Sequence, residues 1–126
     1  MPDEAAQWIA QALEDLDTAR ALRAISRIPP RVPAFHYQQA AEKALKAALL
    51  AAGKVPPRVH DLRALVVALG RPGGLNPKEA SELSPYAVLA RYPGFGDVPS
   101  AQQLDAFDVF AAACIEWARR SIDTNV

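Results

Sequence analysis

Four polar side chains with the spacing of one helical face are the first candidates for chemistry. His36, Gln39, Lys43 and Lys46 recur every three or four residues in a segment of helical periodicity. Two ammonium groups beside an imidazole can hold a phosphate group, because their positive charge offsets its negative charge. We interpret this face as a candidate nucleotide- or phosphate-binding surface. The alternative is a hydrated face, or one that packs against a second copy of the chain.

Gln38 and Glu42, in the same segment, fall at the margin of its apolar side. Two polar residues one helical turn apart at the edge of a core need partners, because an unpaired buried polar group is costly. We therefore expect both side chains to be hydrogen-bonded.

A loop rich in glycine and proline carries a second set of candidates, Arg91 and Tyr92. Loops often carry binding residues. A guanidinium can contact phosphate through two N–H groups, and a tyrosine ring can stack on a base. The alternative is that Tyr92 packs into the end of the fold while Arg91 pairs with an acid.

His60 is a third phosphate-binding candidate, and it precedes Asp61 at a predicted helix start. Aspartate is a favoured N-cap residue. The alternative for this pair is therefore structural, with Asp61 capping the helix and His60 packing against a neighbouring element.

Other reactive residue types give weaker signals. The lone cysteine, Cys114, falls on the apolar side of the last predicted helix, which indicates an inert core residue. We expect Trp8 and Trp117 to pack against the core, and Asp105 and Asp108 to lie on an outward, solvated face. The sequence has no glycine-rich phosphate loop, nucleophile–base arrangement or metal-ligand spacing, so we predict no metal and no cofactor.

The composition is that of one helical domain over residues 1–126. The chain is 51% hydrophobic but only 7% aromatic, and 26 of its residues are alanine. Alanine and leucine lose little conformational freedom in a helix, whereas β-branched residues lose more.

The start of the sequence is acidic, unlike a signal peptide, and no apolar run approaches the roughly 20 residues that span a bilayer. We therefore expect a soluble, cytoplasmic helical protein with no membrane contact.

Apolar periodicity and capping signals predict five helices, three long and two short. The first ends before three prolines, and Ser100 with Gln103 has the pattern of a capping box. In the fourth, Pro85 either kinks the helix or leaves Ser84 to cap a new turn. The predicted helices run over about 3–25, 34–52, 61–69, 76–90 and 100–122.

This element order predicts an all-α, antiparallel up-and-down helical bundle. Ala40, Ala44, Ala47 and Ala51 form a seam of small residues that lets helices approach closely. A two-fold homodimer, or a higher homo-oligomer, is the expected assembly.

The formal net charge is zero, with 14 basic and 14 acidic residues, but the charges are unevenly placed. Residues 1–30 hold five acids and three bases, 31–71 hold two acids and seven bases, and 72–126 hold seven acids and four bases. The zero total therefore excludes only a uniformly basic protein. A basic middle can attract phosphate groups or meet acidic helices of another subunit.

Four ordered motifs resemble the HEPN (higher eukaryote and prokaryote nucleotide-binding) domain family. The segment FHYQQAAEKALKA at 35–47 resembles the run FH-x-QQA-x-EK-x-LKA of the family's second helix. HDL at 60–62 resembles the T-H-D-L start of the third helix, with Val59 in place of threonine. RYP at 91–93 resembles the R-Y-P element before the last helix, and LEDLDTA at 13–19 fits the first helix, where a D-L-x-x-A pattern is usual. The resemblance covers nearly the whole chain.

This resemblance implies an all-α bundle that is frequently a dimer. In bacteria and archaea such domains often accompany a small MNT-type nucleotidyltransferase, and many are toxins in toxin–antitoxin pairs. Some branches are metal-independent RNases, in which an arginine is followed by a histidine after a few intervening residues near the final helices.

No histidine follows Arg91, so the RNase motif is absent where the resemblance would place it. Arg31 and His36 have that spacing but lie across Pro33 at the start of the second predicted helix, which we interpret as coincidence. The sequence therefore favours a protein that binds nucleotide or RNA, or that partners a nucleotidyltransferase. The alternative is a metal-independent RNase that uses Arg91 with Tyr92 or His36 as proton donor.

Overall fold

The computed structural model describes residues 3–89 and 98–124, and every regular element in these ranges is a helix. The predicted all-α bundle is confirmed. Three helices are long, two are short and one is a single turn: α1 (Glu4–Arg23), α2 (Arg31–Ala51), α3 (Leu62–Ala68), α4 (Pro77–Leu83), α5 (Tyr86–Leu89) and α6 (Ala101–Thr124). None of the helices in the described ranges is long and apolar enough to cross a bilayer.

Local signals account for both ends of α1. The Asp3 carboxylate accepts a hydrogen bond from the Ala5 N–H at 3.1 Å, which satisfies one of the free donors of the first turn. Arg20 and Arg23 occupy the last turn, where positive charge offsets the negative end of the helix dipole.

Helix α2 begins at Arg31, ahead of the predicted start at 34. Pro33 lies in its first turn. Backbone N–H groups in the first turn have no acceptor within the helix, so proline, which lacks this N–H, loses no hydrogen bond there. The prolines between α1 and α2 therefore end the first helix, as predicted, without delaying the second.

The three long helices share one end of the bundle. Arg23, in the last turn of α1, contacts Tyr37 near the start of α2 and Asp105 near the start of α6. Helix α1 is thus antiparallel to both of the others, and α2 and α6 run in the same direction. The short helices α3, α4 and α5 follow α2 and precede α6 along the chain.

The alanine seam of α2 lies inside the bundle. Ala40, Ala44 and Ala47 each have 0% of their surface exposed, and α2 packs against α1 along most of its length. The close helix approach is as predicted, but it occurs within one chain. A dimer would therefore use a different surface.

The two alternatives for Pro85 resolve into a break followed by a new turn. Helix α4 ends at Leu83, and α5 begins after Pro85. The Ser84 hydroxyl oxygen accepts a hydrogen bond from the Leu62 N–H at 2.7 Å, which fixes this break against the start of α3.

The predicted capping box of α6 is confirmed. The Gln103 N–H donates to the Ser100 hydroxyl at 3.1 Å, and the Ser100 N–H donates to the Gln103 side-chain oxygen at 2.8 Å. Further along α6, Cys114 is buried, as predicted. Trp8 on α1 and Trp117 on α6 are half-buried against the core, which was also predicted.

Candidate functional site

Two of the four predicted α2 residues contact one carboxylate of α1. His36 Nδ1 lies 3.1 Å from Asp15 Oδ1, and Lys43 Nζ lies 2.7 Å from Oδ2 of the same carboxylate. Only 14% of the Asp15 side chain is exposed. Asp15 therefore neutralises positive charge at the α1–α2 interface, a role that the helical spacing of α2 alone did not reveal.

The other two predicted residues of this face belong to a separate group. The Gln39 amide donates to the Gln38 side-chain oxygen at 2.7 Å. Lys46 Nζ lies 3.2 Å from Glu42 Oε2, one helical turn earlier. The face is thus divided between two carboxylates, Asp15 and Glu42.

Glu42 is the centre of a buried polar network. Gln38 is fully buried and Glu42 is 4% exposed. Glu42 Oε1 accepts from the Gln38 amide at 3.1 Å and lies 2.8 Å from His60 Nδ1. The Gln38 amide also donates to the His60 carbonyl oxygen at 3.0 Å. The prediction that Gln38 and Glu42 have partners is therefore confirmed.

This network orients the His60 ring. A carboxylate can only accept, so the proton between the two groups is on Nδ1. In the neutral ring Nε2 then carries the lone pair, and in the imidazolium it carries a second donor proton. Nε2 has no hydrogen-bond partner among residues 3–89 and 98–124, and 60% of the side chain is exposed. Glu42 thus presents one defined edge of the imidazole outward.

His60 lines a cleft of about 420 Å³ between α3 and the α4–α5 break. The volume is within the range of small-molecule sites. The lining combines polar residues with small apolar ones and comprises His60, Asp61, Arg63, Ser81, Ser84, Pro85, Ala87 and Val88.

Arg63 brings a positive charge to this cleft, whose lining also contains the Asp61 carboxylate. Its guanidinium forms no ion pair within the described part of the chain. Asp61 is the predicted N-cap of α3, and its carboxylate accepts from the N–H groups of Arg63 at 3.0 Å and Ala64 at 3.4 Å. The cleft therefore presents a guanidinium and an oriented imidazole, with the nearby carboxylate engaged by backbone donors.

A second charged cluster joins the shared end of the long helices. Both Asp108 oxygens accept from the Arg20 guanidinium, at 2.9 and 3.0 Å, and Oδ2 also accepts from the Tyr37 hydroxyl at 2.8 Å. The hydrogen bonds from Arg20 are the main cause that lowers the pKa of Asp108. Burial raises the pKa of Tyr37, which keeps its hydroxyl protonated as a donor.

The prediction of a solvated Asp105 and Asp108 is wrong for Asp108. Its side chain is only 21% exposed because the last turn of α1 lies over this part of α6. Asp105 remains 71% exposed but pairs with Arg23 at 2.6 Å. Each member of this cluster contacts another member on a different helix, so the cluster joins α1, α2 and α6.

The remaining candidates, Arg91 and Tyr92, lie outside the described residues, as does Pro93. Their proposed roles stay predictions. Among the residues that the structure does describe, no group of three His, Cys, Asp or Glu side chains could hold a metal ion.

Comparisons with known proteins identify the same family over nearly the whole chain. The HEPN domain family model matches residues 5–123. The crystal structure of TT1696 from Thermus thermophilus is similar, with a TM-score of 0.74 and 25% identity, over 93% of this chain and 97% of that one. The crystal structure of ST0689, an archaeal HEPN homologue, has a TM-score of 0.58 and 28% identity, over 98% and 95% of the two chains. No curated protein matches.

Proposed function

This chain belongs to the HEPN domain family, and from that premise we propose that it binds a nucleotide or RNA through a phosphate group at the His60 cleft. One observation carries the proposal: the buried Glu42 orients an exposed imidazole beside the unpaired guanidinium of Arg63. Three residues on the polar face of α2, His36, Lys43 and Lys46, already contact Asp15 or Glu42 and are therefore less available to an anion.

The two groups at the cleft suit phosphate in complementary ways. A guanidinium donates two parallel N–H groups to phosphate oxygens, and an imidazolium donates one short, charge-assisted hydrogen bond. Glu42 holds the Nδ1 proton of His60, so the second proton of the imidazolium, on Nε2, is the one offered to an anion. Arg63 would therefore anchor the phosphate while His60 orients it.

A titration followed by NMR tests this proposal, because the chain has only two histidines. Addition of AMP should shift the ring resonances of His60 and leave those of His36 in place. R63Q should weaken binding about tenfold, the expected loss of one charged hydrogen-bonding group. R27Q removes an exposed arginine between α1 and α2 and is the matched control. Equal responses of the two histidines, or binding unaffected by R63Q, would refute the assignment.

Cleavage of RNA is the alternative, with Arg91 and a proton donor such as Tyr92 or His36. One contact favours binding over this route, since His36 is held by Asp15 between α1 and α2. Incubation of RNA without metal, beside an R91A variant, separates the two functions. Cleavage that disappears in R91A would overturn a purely binding role.

Self-association and a nucleotidyltransferase partner are the second part of the proposal. HEPN proteins often dimerise. The outer face of α6 supports this part, since Val109 is 68% exposed beside the exposed Ala106. In sedimentation we expect twice the 13.6 kDa chain mass, and V109E should halve it, whereas V55E on the α2–α3 connector should not. A monomer at micromolar concentration would refute the homodimer.

Co-expression with an MNT-type nucleotidyltransferase, followed by co-purification, tests the proposed partner.

A further inference from the structure

A second cleft, of about 370 Å³, lies between the start of α1, the end of α2 and the connector to α3. Its lining includes one aromatic ring, apolar side chains, two basic residues and one carboxylate. The lining comprises Trp8, Leu50, Pro56 and Pro57, with Lys46, Arg58 and Glu4.

We propose that this cleft is a separate binding site for a planar aromatic base that carries a phosphate. Trp8 is half-buried and lines the cleft, so its indole ring is the group on which a base would stack, and the conformationally restricted Pro56 and Pro57 of the connector are in the same lining. Stacking of a base on an aromatic side chain stabilises nucleotide binding without requiring a particular base. Arg58 supplies the contact to phosphate.

The two cations of this cleft differ in how free they are. Lys46 is 12% exposed and is neutralised by Glu42 at 3.2 Å. Arg58 is exposed and forms no ion pair with any described residue. Glu4, in the first turn of α1, is the one carboxylate in the lining and reduces the local positive charge. The free guanidinium of Arg58 is therefore the group that selects an anionic ligand over a neutral one.

The cleft is distinct from the His60 cleft, although one carboxylate contacts both. Glu42 Oε2 pairs with Lys46, which lines the second cleft, and Glu42 Oε1 pairs with His60, which lines the first. The two linings share no residue. Occupation of the Trp8 cleft thus does not depend on the proposed function of His60, and each can fail alone.

Fluorescence of Trp8 tests the proposal. In a W117F variant Trp8 is the sole tryptophan, and titration with AMP should quench its emission in a saturable way. Ribose 5-phosphate has the phosphate but no base, and it should leave the emission unchanged. R58Q should raise the dissociation constant for AMP about tenfold, whereas R27Q, a charge-matched control, should not.

Two results would overturn the proposal: no change in Trp8 emission at millimolar AMP, or quenching that R58Q leaves unaltered. If W117F fails to fold, the two indole N–H resonances of the wild-type chain give the same information. A response of Trp8 without one of His60 supports this site and refutes the His60 proposal. A response of His60 without one of Trp8 supports the His60 proposal and refutes this site.

Discussion

The imidazole Nδ1 of His60 lies 2.8 Å from Oε1 of Glu42, which joins a ring that is 60% exposed to a carboxylate that is almost fully buried. A buried carboxylate requires compensation, and Glu42 receives it from three side chains: the Gln38 amide, the Lys46 ammonium and the His60 ring. Glu42 therefore both belongs to the buried side of α2 and orients the His60 ring in the cleft.

Replacement of Glu42 should affect stability and binding together. E42Q leaves Lys46 without its counter-charge in a mostly buried position, so we expect the free energy of unfolding to fall by about 1–3 kcal/mol. AMP binding at His60 should weaken, because the ring loses the carboxylate that orients it. Urea denaturation and NMR titration measure the two effects. E14Q, on the exposed side of α1, is the control, and an E42Q variant as stable as E14Q would contradict the network.

The Asp108 cluster predicts a specific dependence of stability on pH. Arg20 lowers the pKa of Asp108 in the folded chain, so the ionised carboxylate stabilises the fold above its unfolded pKa of about 4. This contribution is lost as the pH falls through the lower folded pKa. Both side chains are partly exposed, so we expect D108N to cost about 1 kcal/mol at pH 7.

The measurement is the stability difference between wild type and D108N from pH 7 down to pH 2. The difference should shrink below about pH 4 as protonation removes the advantage of the wild-type carboxylate. A difference that stays constant over this range would show that the Asp108 charge does not stabilise the fold.

The capping box of α6 predicts a local contribution to stability. S100A removes the acceptor for the Gln103 N–H, and loss of such a cap costs about 1 kcal/mol. Thermal unfolding measures the effect against S26A, a serine in the exposed segment after α1. Equal melting temperatures for the two variants would mean that Ser100 contributes nothing to the start of the helix.

Cys114 should report global unfolding. Burial raises the pKa of its thiol strongly, and the thiolate is the reactive form. In the folded chain, a disulfide reagent such as DTNB should therefore react only with the small fraction of molecules in which the fold has opened. The rate should rise with urea in parallel with the unfolded fraction. Rapid reaction in native buffer would contradict a buried Cys114.

Signals that act within one or two helical turns were enough to predict most of the fold. Ser100 with Gln103, and Asp61 before α3, lie within reach of the backbone groups that they cap, so their sequence positions determine the contact. The helical register of α2 also placed Gln38 and Glu42 at a core margin correctly.

Contacts between distant segments could not be predicted in the same way. Helical spacing shows that Asp108 lies off the main apolar stripe of α6, but not that the last turn of α1 covers it with Arg20. Likewise, the polar face of α2 gave no sign that Asp15 of α1 would contact His36. The need for partners of Glu42 was evident from the sequence, whereas the choice of His60 depends on how the α2–α3 connector folds back.

Binding of phosphate by His60, which Glu42 holds in the cleft that Arg63 also lines, is the basis of the proposed function. The most direct measurement is an NMR titration of the two histidine rings with AMP in wild type and R63Q. We predict a saturable shift of the His60 resonances, about tenfold weaker in R63Q, with His36 unchanged. Unchanged His60 resonances at millimolar AMP would contradict it.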